Sequence, residues 1–373
     1  MLAIGLMSGT SLDGVDAALV DIQEEVKLIK FHTLPYDQDF KNRLFRNLNV
    51  KTAKLSEIST LNFELGHWFV KAIDNLLQGT PYTYQDIAFV ASHGQTIWHD
   101  PKGQIPSTLQ IGEASIIAYH TNIQVVSNFR VMDIAAGGEG APLVPFSEYY
   151  LYRNTPINLV LQNIGGISNL TYIPVGATME EVKSFDCGVG NIMIDYFTHK
   201  YYNKPYDEDG KIALSGHVIE TIFNHLKQDA FITRIPPKST GREQYSQEFM
   251  ETLSETYQFA NYRPQDIIAT ITELTAYSIA YQYLHFIKQI DCAVICGGGS
   301  HNHYILKRLR EITQFTIITG EEFGLNSDAK EAVAFAILGY MTLSGKPSNV
   351  PSATGAKMPV VLGQITPSPK QKE

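Results

Sequence analysis

Ser8-Gly9-Thr10-Ser11 places three hydroxyls in a run of four small residues, after an apolar segment and before Asp13-Gly14. Small residues expose backbone N–H groups and hydroxyls add donors without bulk, so such a concavity can hold an anion without a lysine. Asp13-Gly14 is a hairpin-turn signal, and an ordinary hairpin explains those two residues. It leaves the length of the connection unexplained, because hairpin loops need only about two to five residues. Two familiar phosphate loops are excluded. The chain has no G-x-x-x-x-G-K-[ST], and no G-x-G-x-x-G leads from a strand into a helix.

Further residues suit a reaction or a substrate. In Ser184-Phe185-Asp186-Cys187-Gly188-Val189-Gly190-Asn191 a carboxylate ends an apolar strand, two glycines allow a tight turn, and a helix starts near Asn191. Asp186 there either projects into a cleft above the strand ends or is an ordinary helix N-cap. Lys238-Ser239-Thr240-Gly241-Arg242-Glu243 offers two cations beside hydroxyls, for a polar substrate or phosphate, or is a solvated loop. Gly297-Gly298-Gly299-Ser300 follows a strand and lets a flat ligand such as a nucleoside lie on the backbone. Glu331 falls in the first turn of a helix, where the dipole favours a carboxylate with or without a metal. His93 and His99 are spaced poorly for a metal pair, so His93 is a ligand contact at a strand's carboxyl end or a structural histidine. Arg130 and Asp133 precede Ala135 to Pro142, a small-residue segment able to approach a ligand closely or to act as a linker.

The elements that must position these residues alternate along the chain. Ala3–Met7, Val15–Ile22 and Lys27–Leu34 read as strands, and Leu55–Gln78 as a helix with Ile58, Leu61, Leu65, Phe69 and Ile73 on one face. Ile87–Ser92 and Ile123–Ser127 are strands around a helical piece at Glu113–Thr121, and Ala135–Pro145 reads as a hinge or crossover loop. Strands return at Ile157–Gln162, Asn169–Ile173, Glu181–Asp186, Cys292–Cys296 and Phe315–Ile318. Helices are expected at Asn191–Tyr202, His217–Gln228, Gln247–Tyr257, Pro264–Gln289, Asn302–Ile312 and Ala329–Leu343. This is an α/β pattern. NLVLQNIGGISNLTYI from Asn158 repeats the strand–turn–strand plan of the N-terminal hairpin, which suggests a duplicated architecture.

Composition narrows the class. The 373 residues are 44% apolar and 18% charged, enough for a large core and, at roughly 150 residues per domain, for two domains. A net charge of −9 without blocks of like charge argues against a nucleic-acid or anionic-membrane surface. Three cysteines, Cys187, Cys292 and Cys296, lack zinc or redox spacing and point to a reduced compartment. The N-terminal apolar run has no basic segment before it, so no secretory signal is expected. No apolar run is long enough to span a membrane.

Taken in order, several motifs resemble those of one family, the anhydro-N-acetylmuramic acid kinases. They are MSGTSLDGVD at Met7, SHGQTIWH at Ser92, DIAAGGEGAPLVP at Asp133, NIGGISNLT at Asn163 and FDCGVGNIMID at Phe185. PPKSTGRE at Pro236, TITELTA at Thr270, CGGGSHN at Cys296, EAVAFAILG at Glu331 and PSATGAK at Pro351 complete the series. The resemblance implies a duplicated actin-like (ribonuclease H-like) ATPase fold, two α/β lobes around a nucleotide cleft. The N-terminal lobe is expected at 1–134, with a C-terminal strand at 359–373 as a candidate addition, and the C-terminal lobe at 135–358.

The same resemblance assigns roles. Gly9, Thr10, Ser11, Leu12, Asp13, Gly14, Val15 and Asp16 become the nucleotide-phosphate segment, Gly165 and Gly166 its counterpart, and Gly297, Gly298 and Gly299 the nucleoside side. His93, Arg130 and Asp133 become sugar contacts, with the Arg130 fork suited to a lactyl carboxylate. Asp186 is the expected catalytic base, and Asp186 and Glu331 are the carboxylates expected near a metal. ATP and Mg²⁺ are the implied cofactors. An anhydrosugar is the implied small-molecule partner, with no nucleic acid or membrane; the location is cytoplasmic, and a homodimer is compatible.

In the family's sugar O6 is tied to C1 as an internal ether, so water attacks C1 while O6 leaves and takes the γ-phosphoryl group of ATP. Activating that water near neutral pH requires a base. Cys187 and Val189 stand where the family usually has Thr and Pro, and Glu139 where it usually has Gln, which bears on substrate preference more than on reaction type. A kinase for another anhydrosugar such as levoglucosan, and a non-catalytic nucleotide-binding scaffold, are the alternatives.

Overall fold

The apolar stretches at the head of the chain form β1 (Leu2–Ser8), β2 (Gly14–Ile22) and β3 (Val26–Pro35), an antiparallel meander. The structure is a computed structural model that describes residues 1–9, 11–241 and 244–370. β4 (Phe89–Asp100) lies parallel to β1, β5 (Ser107–Ile111) hairpins back on the far half of β4, and β6 (Val125–Ser127) pairs in parallel with its near half. The strand Gln364–Thr366 closes the sheet by antiparallel pairing with β6.

β1 and β2 are buried on alternate and intervening residues alike, because helices cover both faces. Ile4, Leu6, Ala17 and Leu19 share a core with Leu61, Leu65, Phe69 and Ile73 of the helix Leu55–Leu77. Gly5 meets the helix Lys330–Leu343, and a Cβ there would lie 1.8 Å from the Ala332 carbonyl oxygen. That close seat explains the Ala- and Gly-rich EAVAFAILG segment, and it fixes the helix whose first turn carries Glu331.

A second sheet uses the same grammar. β7 (Leu159–Ile164), β8 (Ile167–Ile173) and β9 (Lys183–Val189) form an antiparallel meander, β10 (Cys292–Cys296) joins β7 in parallel, and β11 (Thr316–Thr319) joins β10 in parallel. The orders β6-β4-β1-β2-β3 and β11-β10-β7-β8-β9 are one plan used twice. The duplication expected from the two hairpins is therefore present in the strand topology. Helix Pro264–Phe286 underlies the second core, where Glu273 receives two hydrogen bonds from Arg308 at 2.7 and 2.8 Å.

The chain divides into two units, Met1–Leu151 with Asp328–Glu373, and Tyr152–Ser327. These limits differ from the expected 134/135 and 358/359 boundaries. The glycine-rich segment after Asp133 is stitched into the first unit: Glu139 N–H donates to Thr354 O at 2.8 Å, and Lys357 N–H to Ala136 O at 2.9 Å. Helix Lys330–Leu343 belongs there too, through its packing on β1, β2 and β4. Ala135–Pro145 is accordingly no hinge. Among the elements not expected are the helices Gln38–Asn47 and Val144–Tyr152 and β5, and β4 continues seven residues past His93 to Asp100.

Candidate active site

The β1–β2 connection divides its expected ligands sharply. Leu12 is 2% exposed and Val15 fully buried, while a Cβ on Gly14 would fall 2.3 Å from the Leu34 carbonyl. These three serve packing. Leu12 takes a left-handed conformation (φ 57°) and its N–H donates to Gly9 O at 3.2 Å, which turns the loop tightly. Asp13 is spent on Lys41 at 2.7 Å on the surface, which lowers its pKa. Ser8, beneath the loop, is bound to Tyr36 Oη at 2.7 Å and Gln95 Oε1 at 2.6 Å. Gly9, Ser11 and Asp16 remain open to a ligand; Thr10 lies outside the described residues.

Asp16 and Glu331 form an electrostatic pair in the first unit. Burial raises the Asp16 pKa, with Asp328 and Asp13 adding to the effect against the Thr33 hydroxyl bonded at 2.6 Å. Glu331 reaches solvent on one side, yet burial and then the Asp16 charge raise its pKa against Lys330 and Arg130. Lys330 is anchored on buried Glu148 at 2.5 Å, fixing the start of that helix. Two carboxylates whose charged forms are disfavoured suit a divalent cation. Among the described residues no cluster of three or more His, Cys, Asp or Glu is arranged to hold a metal ion. That donor set fits Mg²⁺, which takes one or two carboxylates and completes its shell with phosphate oxygens and water.

The expected sugar residues separate into one open group and two supports. Arg130 Nε donates to His93 Nε2 at 3.0 Å, and Nη1 to Gly140 O at 2.7 Å. A guanidinium only donates, so the His93 ring is neutral, with its proton on Nδ1 given to Gly94 O at 2.9 Å. Burial and Arg130 hold the His93 pKa well below the usual range. Nη2 of Arg130 has no protein partner among the described residues. Burial lowers the Arg130 pKa to about 10, so the charge persists at neutral pH. His93 is thus the support and Arg130 the candidate contact.

Asp133 needs correction as a substrate residue. It has no exposed surface and accepts from Gly140 N, Asn349 Nδ2 and Thr354 Oγ1, each at 2.7 Å. Its work is to clamp the glycine loop to the C-terminal segment. Glu139, in that loop, is paired with Lys102 at 2.9 Å, which offsets its charge.

In the second unit Asp186 lies within β9 and not at its end. The β8–β9 register shifts there, from Asn169 opposite Asp186 to Ser168 opposite Gly188, and such a bulge re-aims a side chain. Asp186 N–H donates to Lys238 O at 3.1 Å, and Thr240 N–H donates to Asp186 Oδ2 at 2.8 Å. Oδ1 is left without a protein partner among the described residues. Burial pushes the carboxyl up to about 6, opposed by the Thr240 N–H and by Lys238. Cys187 points the other way, fully buried with its thiol on Gln162 Oε1 at 3.6 Å. Lys238 is 4% exposed, so it is not the substrate-facing cation expected from its loop, and Arg242 lies outside the described residues.

The glycines of this unit also divide. Gly165 O and Gly166 O accept from Asn191 N and Gly190 N at 2.8 and 2.9 Å, while the outward side of the turn stays open. A Cβ on Gly299 would meet Ile164 Cγ2 at 2.3 Å, and one on Gly297 (φ +78°) would meet Asn163 Oδ1 at 2.7 Å. Both are packing glycines. Gly298 is exposed and lines a cavity of about 380 Å³ with Asn191, Asp195, Tyr206, His301 and Asn302. Burial, then Asp207, pushes the Asp195 carboxyl up to about 6. Sequence reasoning missed Asp195 and Tyr206; the one available signal was Asp195 four residues after Asn191, a single helical turn.

Two α/β units of one strand plan, each headed by a small-residue hairpin, define a duplicated ATPase fold of the sugar-kinase type. Residues 1–368 match the family model described as anhydro-N-acetylmuramic acid kinase. The chain belongs to that family. It is similar to the anhydro-N-acetylmuramic acid kinase of Bacillus cereus (strain ATCC 10987 / NRS 248), 45% identical over 380 residues, covering 98% of this chain and 99% of that protein. The protein of that name from Clostridioides difficile (strain 630) is 44% identical over 381 residues, covering 99% of each. Among solved structures the likeness is distant. Component A of Acidaminococcus fermentans (R)-2-hydroxyglutaryl-CoA dehydratase is 10% identical, with a TM-score of 0.46 over 90% of this chain and 96% of that one. No helix among the described residues is long and apolar enough to cross a membrane.

Proposed function

We propose that the protein uses ATP to open the 1,6-anhydro ring of 1,6-anhydro-N-acetylmuramic acid and phosphorylate O6, giving N-acetylmuramic acid 6-phosphate and ADP in peptidoglycan recycling. The observation that carries this reading is Asp186, whose Oδ2 is fixed by the Thr240 N–H while Oδ1 has no protein partner among the described residues and burial pushes the carboxyl up to about 6. A base with that pKa is ionised at neutral pH yet still basic enough to take a proton from water. The water oxygen bonds to C1 as the C1–O6 bond breaks, and its proton goes to Oδ1. O6 takes the γ-phosphoryl group, and ADP leaves with the bridging oxygen.

The other residues bind and orient. Gly9, Ser11 and the Gly165-Gly166 turn offer donors to phosphate oxygens. Gly298 lies in the cavity suited to the nucleoside, where Asp195 can accept from ribose hydroxyls. Arg130 presents Nη2 to the lactyl carboxylate, oriented by His93. Asp16 and Glu331 would hold Mg²⁺, which supplies charge neutralisation on the phosphates when bound. Three buried cysteines outside any disulfide agree with a cytoplasmic setting.

The test is incubation with Mg-ATP and the anhydrosugar, following ADP release and the mass of the sugar product. Gain of both a water and a phosphoryl group is expected. No ADP release above background would overturn the reading, and faster turnover of levoglucosan would replace the substrate.

A further inference from the structure

Lys238 has no part in the chemistry above, yet its burial is hard to explain by folding alone. It is 4% exposed, and its ammonium is met by carbonyls and not by a carboxylate: Nζ donates to Phe231 O at 2.8 Å and Ile232 O at 3.0 Å. It also lies 4.8 Å from the Phe231 ring centroid and 5.4 Å from that of Phe286. Taking an ammonium out of water is costly unless its hydrogen bonds are replaced. Here the replacement hydrogen bonds come from the short helix Ala230–Thr233, and the Phe286 ring at the end of the helix Pro264–Phe286 adds a cation–π contact. A neutral apolar side chain would fill the same space without that cost, so the charge needs a reason.

The backbone of this residue supplies one. Lys238 O accepts the Asp186 N–H at 3.1 Å, and two residues on the Thr240 N–H fixes Asp186 Oδ2 at 2.8 Å. Residues 238–240 therefore hold the carboxylate both by its main chain and by one oxygen. The ammonium anchors the Lys238 side chain and ties that segment to the carbonyls of Phe231 and Ile232. Those carbonyls are also engaged elsewhere in the core, Ile232 O by Gln282 Nε2 at 3.1 Å and Phe231 O by Arg234 N–H at 3.3 Å, so the anchor point is rigid.

We propose that Lys238 is a positioning residue for the reaction, a buried ammonium that pins the 238–240 segment so that Thr240 orients Asp186 and leaves Oδ1 as the basic atom. The proposal rests on Asp186 being the base. Among the described residues the segment hydrogen-bonds the base and none of the residues assigned to ATP or sugar, so its loss affects the chemical step and not ground-state binding.

The test is Lys238→Met, which keeps length and packing but removes charge and donors, measured beside Lys238→Gln, which keeps one donor. Expected is a fall in kcat of at least tenfold in Lys238→Met and a smaller fall in Lys238→Gln. KM for ATP and for the anhydrosugar should stay within twofold of the wild type. Either variant, folded by its thermal melt, with kcat within twofold of wild type overturns the proposal. So does a loss carried by KM, or failure of both variants to fold, which would make Lys238 a folding residue only. Wild-type protein without anhydrosugar-dependent turnover would instead sink the proposed function, so the two failures are distinguishable.

Discussion

Replacing Asp186 by Asn should destroy turnover and stabilise the fold at the same time. Asn keeps an acceptor for the Thr240 N–H, so the local geometry survives while the base is lost. General-base removal costs a factor of about 10² to 10⁴ in rate. The stability term follows from the carboxyl, raised from 3.8 to about 6. A raised carboxyl favours the folded state in its protonated form. That stabilisation is complete below 3.8 and is lost as pH rises through about 6, above which the ionised group burdens the fold. At about 1.36 kcal/mol per unit the full penalty is ~3 kcal/mol, and partial solvent screening reduces it to about 1–3 kcal/mol. For a unit of this size that is a Tm gain of about 2–12 °C at pH 8. Melts of both proteins at pH 8 and pH 4, with coupled ADP release at pH 8, test it. The gain should shrink towards pH 4. An Asn variant with unchanged or lower Tm at pH 8, or one whose turnover falls by less than about tenfold, refutes the reasoning.

Three further outcomes are expected. The wild-type kcat/KM should fall about tenfold per pH unit below about 6, because Asp186 must be ionised to accept a proton; a flat acid limb counts against it. Arg130→Met should raise KM for the carboxylate-bearing anhydrosugar about 10–100-fold through loss of a charged hydrogen bond, and leave levoglucosan kinetics unchanged; equal effects on both sugars would remove Arg130 from carboxylate recognition. Gly5→Ala, whose Cβ would sit 1.8 Å from the Ala332 oxygen, should destabilise the first unit by ~3 kcal/mol and weaken activity through Glu331; a wild-type melt would show that the helix yields cheaply.

Much of the fold was legible because the central strands are short and apolar, with turn residues between them. β1, β2, β7, β8 and β10 fall close to their expected positions. The helix Gln38–Asn47 escaped notice because it buries only Phe40, Leu44 and Asn47, too thin an apolar face to stand out. β5 (STLQI) and the far half of β4 are largely polar and form a hairpin whose pairing, not its composition, makes it sheet. The loops proposed to hold the ligand stand out in the sequence by their glycines and hydroxyls. Which of those glycines faces outward was not legible, since Gly297 and Gly299 differ from Gly298 only in what lies behind them.

The sequence by itself determined the chemistry available: an ordered set of motifs, a carboxylate at Asp186, an arginine at Arg130, and a hairpin plan used twice. Tertiary structure alone decided which of these groups are free to act. Asp133 and Thr354 stand 221 positions apart and Asp186 and Thr240 54 apart, yet each carboxylate is governed by the other residue of its pair. A buried polar group must find its partners wherever the fold brings them. Asp133 is thereby consumed as a clamp, Lys238 is drawn into the core, and Asp186 is held by one oxygen while the other has no protein partner among the described residues.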